Sequence, residues 1–97
     1  MVTFVKKILI IDDQKAIRNT SKEILEYEKY AVFVAEDGKI GLQMTVENNY
    51  DLIFCDIKMP NLDGIGFLKK VTEQKITSPV IMISGHGDIE TAVQNEI

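Results

Sequence analysis

Lys7-Ile8-Leu9-Ile10-Ile11-Asp12-Asp13 is the stretch on which the fold of this chain turns. A continuous β-branched apolar run, with no polar alternation, suits a parallel strand covered on both faces. The run stops abruptly on two acids. The same form recurs downstream: Asp51-Leu52-Ile53-Phe54-Cys55 stops at Asp56, and Pro79-Val80-Ile81-Met82-Ile83 gives way to Ser84. Pro79 stands where a ladder tolerates a missing N–H. Tyr30-Ala31-Val32-Phe33-Val34 is a further expected strand, closed by the turn-like Glu36-Asp37-Gly38.

Between these runs the spacing changes to that of helices. Over residues 14–29, Ile17, Ile24 and Leu25 share one face, while Lys15, Arg18, Lys22 and Glu26 face away. Residues 39–47 form a second, less tidy helix containing Gly41, which is tolerated only where close packing wants no side chain. Phe67, Leu68 and Val71 begin a third. Residues 89–97 are expected to start a fourth, with Asp88 as N-cap. Strands alternating with helices imply right-handed crossovers and an α/β parallel sheet.

The chain of 97 residues has room for one domain, residues 1–97. Its 45% hydrophobic and 27% charged residues exclude disorder, and a single cysteine, Cys55, excludes an internal disulfide. A formal charge of −4 disfavours a nucleic-acid surface. Nothing approaches the roughly 20 apolar residues of a membrane span. With no signal-peptide pattern at its start, the chain is expected in the cytoplasm.

In open parallel sheets, ligands bind beyond the carboxyl ends of the strands. Asp12 and Asp13 end one strand there, Asp56 another, and Ser84 a third. A lone acid at such a place is ordinarily a solvated loop residue. Three acids gathered at one rim repel one another, and so raise their pKa values or hold a cation. Oxygen ligands favour a hard divalent ion, Mg²⁺ before others.

The segments Ile8–Asp13, Asp51–Pro60, Asp63-Gly64 and Pro79–Gly85 resemble the receiver domain of bacterial two-component response regulators. The Asp-x-x-Met-Pro element at Asp56–Pro60, with Asp-Gly following, is the specific part. The resemblance implies a flavodoxin-like (CheY-like) doubly wound sheet of order 2-1-3-4. It implies that Asp56 accepts a phosphoryl group from a histidine kinase, and that Asp12, Asp13, Asp56 and the main-chain carbonyl of Lys58 hold Mg²⁺. It implies also that Ser84 hydrogen-bonds the phosphoryl group and moves toward it, switching an output surface. Such a domain catalyses only its own phosphorylation and dephosphorylation. Lys58 and His86 occupy the positions that tune hydrolysis in the family, although His86 reads more readily as an idle loop residue. Ser84–Val93 looks most like receivers of the NtrC type, which regulate transcription.

A full receiver has a fifth strand and helix, an aromatic switch residue, and a Lys that pairs with the phosphoryl group. None of these is found here, so the chain is expected to be truncated before the fifth strand, or to be an engineered minimal domain. The fourth strand is then an open apolar edge, which invites a homodimer or a swapped oligomer. Three other functions fit these residues less well. A Mg²⁺-dependent phosphatase ordinarily carries Asp-x-Asp, but Lys58 stands at the second acid's place. A flavin-binding protein needs a phosphate loop where Asp12-Asp13 would repel the phosphate. An interaction module that keeps only the fold is opposed by the joint presence of Asp13, Asp56 and Ser84.

Overall fold

The computed structural model describes residues 5–83 and, for the backbone, 91–94. Strands β1 (Lys7–Ile11), β2 (Ala31–Ala35), β3 (Leu52–Asp56) and β4 (Val80–Ile83) alternate with helices α1 (Lys15–Tyr27), α2 (Gly38–Glu47) and α3 (Gly64–Glu73). The four strands pair in parallel in the order β2-β1-β3-β4. Parallel pairing is what the continuous apolar runs lead one to expect, and the order is the one the family resemblance implies.

Successive residues of β1 point to opposite faces, and each face has its own core. Leu9 and Ile11 join Ile53, Cys55, Val80 and Met82 beneath α2 and α3, where Phe67 and Val71 are fully buried. Ile8 and Ile10 join Val32 on the other face, packed by Leu25 of α1. A strand buried on both sides has no use for polar alternation, which explains the run at residues 7–11.

The two faces are not equally covered. No residue of α1 is buried, and Ile17 and Ile24, expected on its inner face, are 45% and 58% exposed. Gly41 of α2 packs so tightly on β1 that a Cβ there would overlap the side chain of Ile11. Close approach, rather than a weak helix, accounts for that glycine.

Two expectations are corrected. Residues 91–94 are not helical: β5 (Thr91–Gln94) runs antiparallel to β4, in register from Ile83↔Thr91 to Val80↔Gln94. The edge of β4, expected to be open and to recruit a second copy, is therefore occupied by its own chain. The physical reason is the one that made the edge a hazard. A row of unpaired N–H and C=O groups gains from strand pairing, and the nearest extended segment supplies it. The proposed cap Asp88 lies outside the described residues.

Candidate functional site

Register builds the site. Ile11 stands opposite Cys55 in the β1–β3 pair, so the next residues, Asp12 and Asp56, stand side by side at the carboxyl ends of the two strands. Asp13 follows. One carboxylate oxygen from each of Asp12, Asp13 and Asp56 lies within 4.8 Å of the others. The three acids named from sequence are thus brought together at the carboxyl rim.

Their surroundings differ. Asp12 is 9% exposed and Asp56 3% exposed, whereas Asp13 lies at the surface. Asp12 is held from both sides: its N–H donates to the Ala35 carbonyl (3.1 Å), and its Oδ1 accepts from the Gln14 N–H (2.8 Å). Arg18 of α1 donates from Nη1 to the Asp12 carbonyl at 2.8 Å. Sequence spacing places Arg18 on the outward face; only its position in the first helical turn after the acid pair signals this anchoring. Burial pushes the Asp12 carboxyl above the usual carboxylate range. The Gln14 N–H opposes that, the charges of Asp56 and Asp13 add to it, and Arg18 pulls it back.

Asp56 is the unusual member. Both its carboxylate oxygens are buried without a hydrogen-bond partner among the described residues. A buried carboxylate left so is costly, and ordinarily it is paired or coordinates a metal. It adjoins a cavity of about 340 Å³ between α1 and the sheet, whose walls include Ile10, Ile17, Ile24 and Phe54. Cys55, beside it in sequence, is fully buried in the opposite core, and burial pushes its thiol up to about 12. It is a packing residue, as strand alternation implies.

Lys58 lies in the exposed loop between β3 and α3, and its carbonyl accepts no hydrogen bond among the described residues. Asp63 closes that loop by capping α3, its Oδ1 accepting from the Gly66 N–H at 2.8 Å. Ser84 and His86, both named from sequence, lie outside the described residues. Sequence pattern marks Asp37 and Asn61 only as turn and loop residues, yet they bond to each other. The Asp-Gly pair before an apolar helical segment was the available signal for Asp37 as a cap.

The donor set around Asp56 is oxygen throughout, anionic and crowded. It fits a hard divalent cation and fits neither a nucleotide phosphate nor a soft metal.

The comparisons with known proteins agree. The response regulator receiver domain family matches residues 8–96. The transcriptional regulatory protein ResD of Bacillus subtilis is 41% identical over 88 residues, covering 91% of this chain and 36% of ResD. SrrA of Staphylococcus aureus is 36% identical over the same length, with the same coverage. The chain thus spans little more than a third of these relatives' length. Among solved structures, the Francisella response regulator 1452 receiver domain is 41% identical with a TM-score of 0.80, over 86% of this chain and 69% of that one. The Thermotoga maritima response regulator TrrA, in complex with Mg²⁺-BeF, is 32% identical, also at TM-score 0.80, over 86% and 72% of the two chains. The narrower NtrC-type likeness of residues 84–93 gains no support from relatives such as ResD and SrrA. With the acidic rim, the sheet order and the match over residues 8–96 in agreement, the chain belongs to the response regulator receiver domain family of two-component systems.

Proposed function

We propose that the chain is the phosphoacceptor module of a two-component system, and that Asp56 is the residue phosphorylated. A carboxylate oxygen of Asp56 attacks the phosphorus of a phosphohistidine on a sensor histidine kinase. The new P–O bond makes an acyl phosphate while the P–N bond breaks, and the imidazole nitrogen keeps the electron pair. The observation that carries this reading is the buried Asp56 carboxylate, unpaired and beside two further acids.

Asp12, Asp13, Asp56 and the Lys58 carbonyl would hold Mg²⁺. When bound, the ion supplies the charge neutralisation that phosphoryl transfer needs more than covalent help. The Mg²⁺-BeF complex of the similar TrrA protein supports that assignment. Arg18 and the Gln14 N–H keep Asp12 in place, so the acid pair stays aimed at the rim. Ser84, next after the residue paired with Asp56 in β4, would hydrogen-bond the phosphoryl oxygens and move to signal its arrival. A cytoplasmic location and an output in transcription follow from the same reading, the latter supported by the names of ResD and SrrA.

Intact-mass spectrometry after incubation with acetyl phosphate and Mg²⁺ tests it. One phosphoryl group is expected, removable by hydroxylamine as an acyl phosphate is, and absent from Asp56→Asn. An unmodified wild-type chain, or a modification that Asp56→Asn retains, refutes the assignment.

A further inference from the structure

Across the rim from the acids, a polar bridge ties α2 to the loop that follows Asp56. Asp37 uses both its oxygens: Oδ1 accepts from the Ile40 N–H at 2.8 Å, capping α2, and Oδ2 accepts from the Asn61 side-chain amide at 2.7 Å. Among the described residues, this is the only side-chain hydrogen bond made by residues 57–62. Asn61 has φ 70°, a left-handed conformation that Asn tolerates better than most residues. Two close approaches reinforce the bridge. A Cβ on Gly38 would overlap the Leu62 carbonyl oxygen, and one on Gly64 would stand 2.5 Å from the Asp56 carbonyl oxygen. The Gly64 N–H donates to the Ile57 carbonyl at 2.8 Å. The loop is thus fastened at its base to β3 and at its tip to α2, with Lys58 between the two.

We infer that Asp37 and Asn61 are a positioning pair that sets the divalent-cation affinity of the acidic site by fixing the loop carrying the Lys58 carbonyl. The inference rests on the proposed reading of that site. Neither residue touches the cation; they act through the loop backbone. The bond joins the β2–α2 turn to the β3–α3 loop, two segments whose strands are both paired with β1. It therefore restrains where the loop holds the Lys58 carbonyl relative to Asp56, whose own place beside Asp12 is set by the β1–β3 pairing.

The test is a Mg²⁺ titration of wild type, Asn61→Gly, Asn61→Asp and the exchange Asp37→Asn/Asn61→Asp, followed by calorimetry and melting temperature. Far-UV circular dichroism monitors the fold. Asn61→Gly keeps the left-handed backbone and removes the amide; it is expected to weaken Mg²⁺ binding about tenfold. Asn61→Asp sets two carboxylates against each other and is expected to weaken it at least as much. The exchange restores one donor, one acceptor and the original net charge, so its affinity is expected to return to the wild-type value. Wild-type affinity in Asn61→Gly, or an exchange variant as weak as Asn61→Asp, overturns the positioning pair. A wild-type chain that binds no Mg²⁺ overturns the site reading and the pair with it. If Asn61→Gly loses its helical signal, recovery in the exchange variant decides the question alone.

Discussion

Asp37 and Asp12 are both buried carboxylates that accept a backbone N–H, yet their environments shift them in opposite directions. At Asp37 the Ile40 N–H, aided by the Asn61 amide, outweighs burial and holds the carboxyl below its usual range. At Asp12 burial wins, and neighbouring acids add to it. The consequences for stability are opposite in sign. Ionised Asp37 stabilises the fold at pH above the unfolded value of about 3.9, and that contribution is lost as pH falls through the lower folded value. Asp37→Ala is expected to cost about 1–2 kcal/mol at pH 7, with the gap from wild type shrinking below about pH 4. Denaturant midpoints at pH 7, 5 and 3 measure this, and a gap that does not depend on pH refutes it. Asp12 costs stability once ionised and is relieved as acid protonates it through its raised folded value. A buried acid is therefore no single category: whether its hydrogen-bond donors outweigh the cost of burial decides which way it contributes.

At the scale of elements, the asymmetry between the two sheet faces sets where stability resides. Phe67 of α3 is fully buried, and Phe67→Ala is expected to cost about 3–5 kcal/mol. Ile24 of α1 is mostly exposed, and Ile24→Ala is expected to cost no more than about 0.5 kcal/mol. Chemical denaturation of both variants checks the contrast, and equal costs would mean that α1 is held as firmly as α3. Apolar periodicity reported α1 correctly as a helix. It did not report how much of the apolar stripe is covered, because that depends on which elements reach the face.

For the molecule as a whole, three acids held within 4.8 Å make the native state without a cation less stable than it is with one. Any ligand that binds only the folded chain stabilises it by mass action, by about 2.7 kcal/mol at one hundred times its dissociation constant. For a domain of this size, that amounts to a rise in melting temperature of roughly 10–20 °C at saturating Mg²⁺. Asp56→Asn is expected to lose most of that rise while melting higher than wild type in EDTA, since it removes a buried charge that has no partner. Differential scanning calorimetry in Mg²⁺ and in EDTA measures both. An Asp56→Asn variant that melts below wild type in EDTA contradicts the second expectation.

Much of this architecture was legible in the residues themselves. Continuous apolar runs stopped by acids specify strands buried on both faces, with polar ends. Strand and helix in alternation then leave a parallel sheet as the economical outcome, and its carboxyl rim collects Asp12, Asp13 and Asp56. These are local patterns repeated along the chain, and local patterns survive in sequence. What the tertiary structure decided is pairwise and long-range. The backbone fate of residues 91–94 depended on the edge that β4 offered, and that edge outweighed the helical reading of the segment. The bond from Asp37 to Asn61 joins residues 24 positions apart, each unremarkable in its own turn. The Ile11↔Cys55 register that sets Asp12 beside Asp56 exists only once β1 and β3 have met. A side chain's spacing reports which face it takes; its partner is known only when the chain has brought distant segments together.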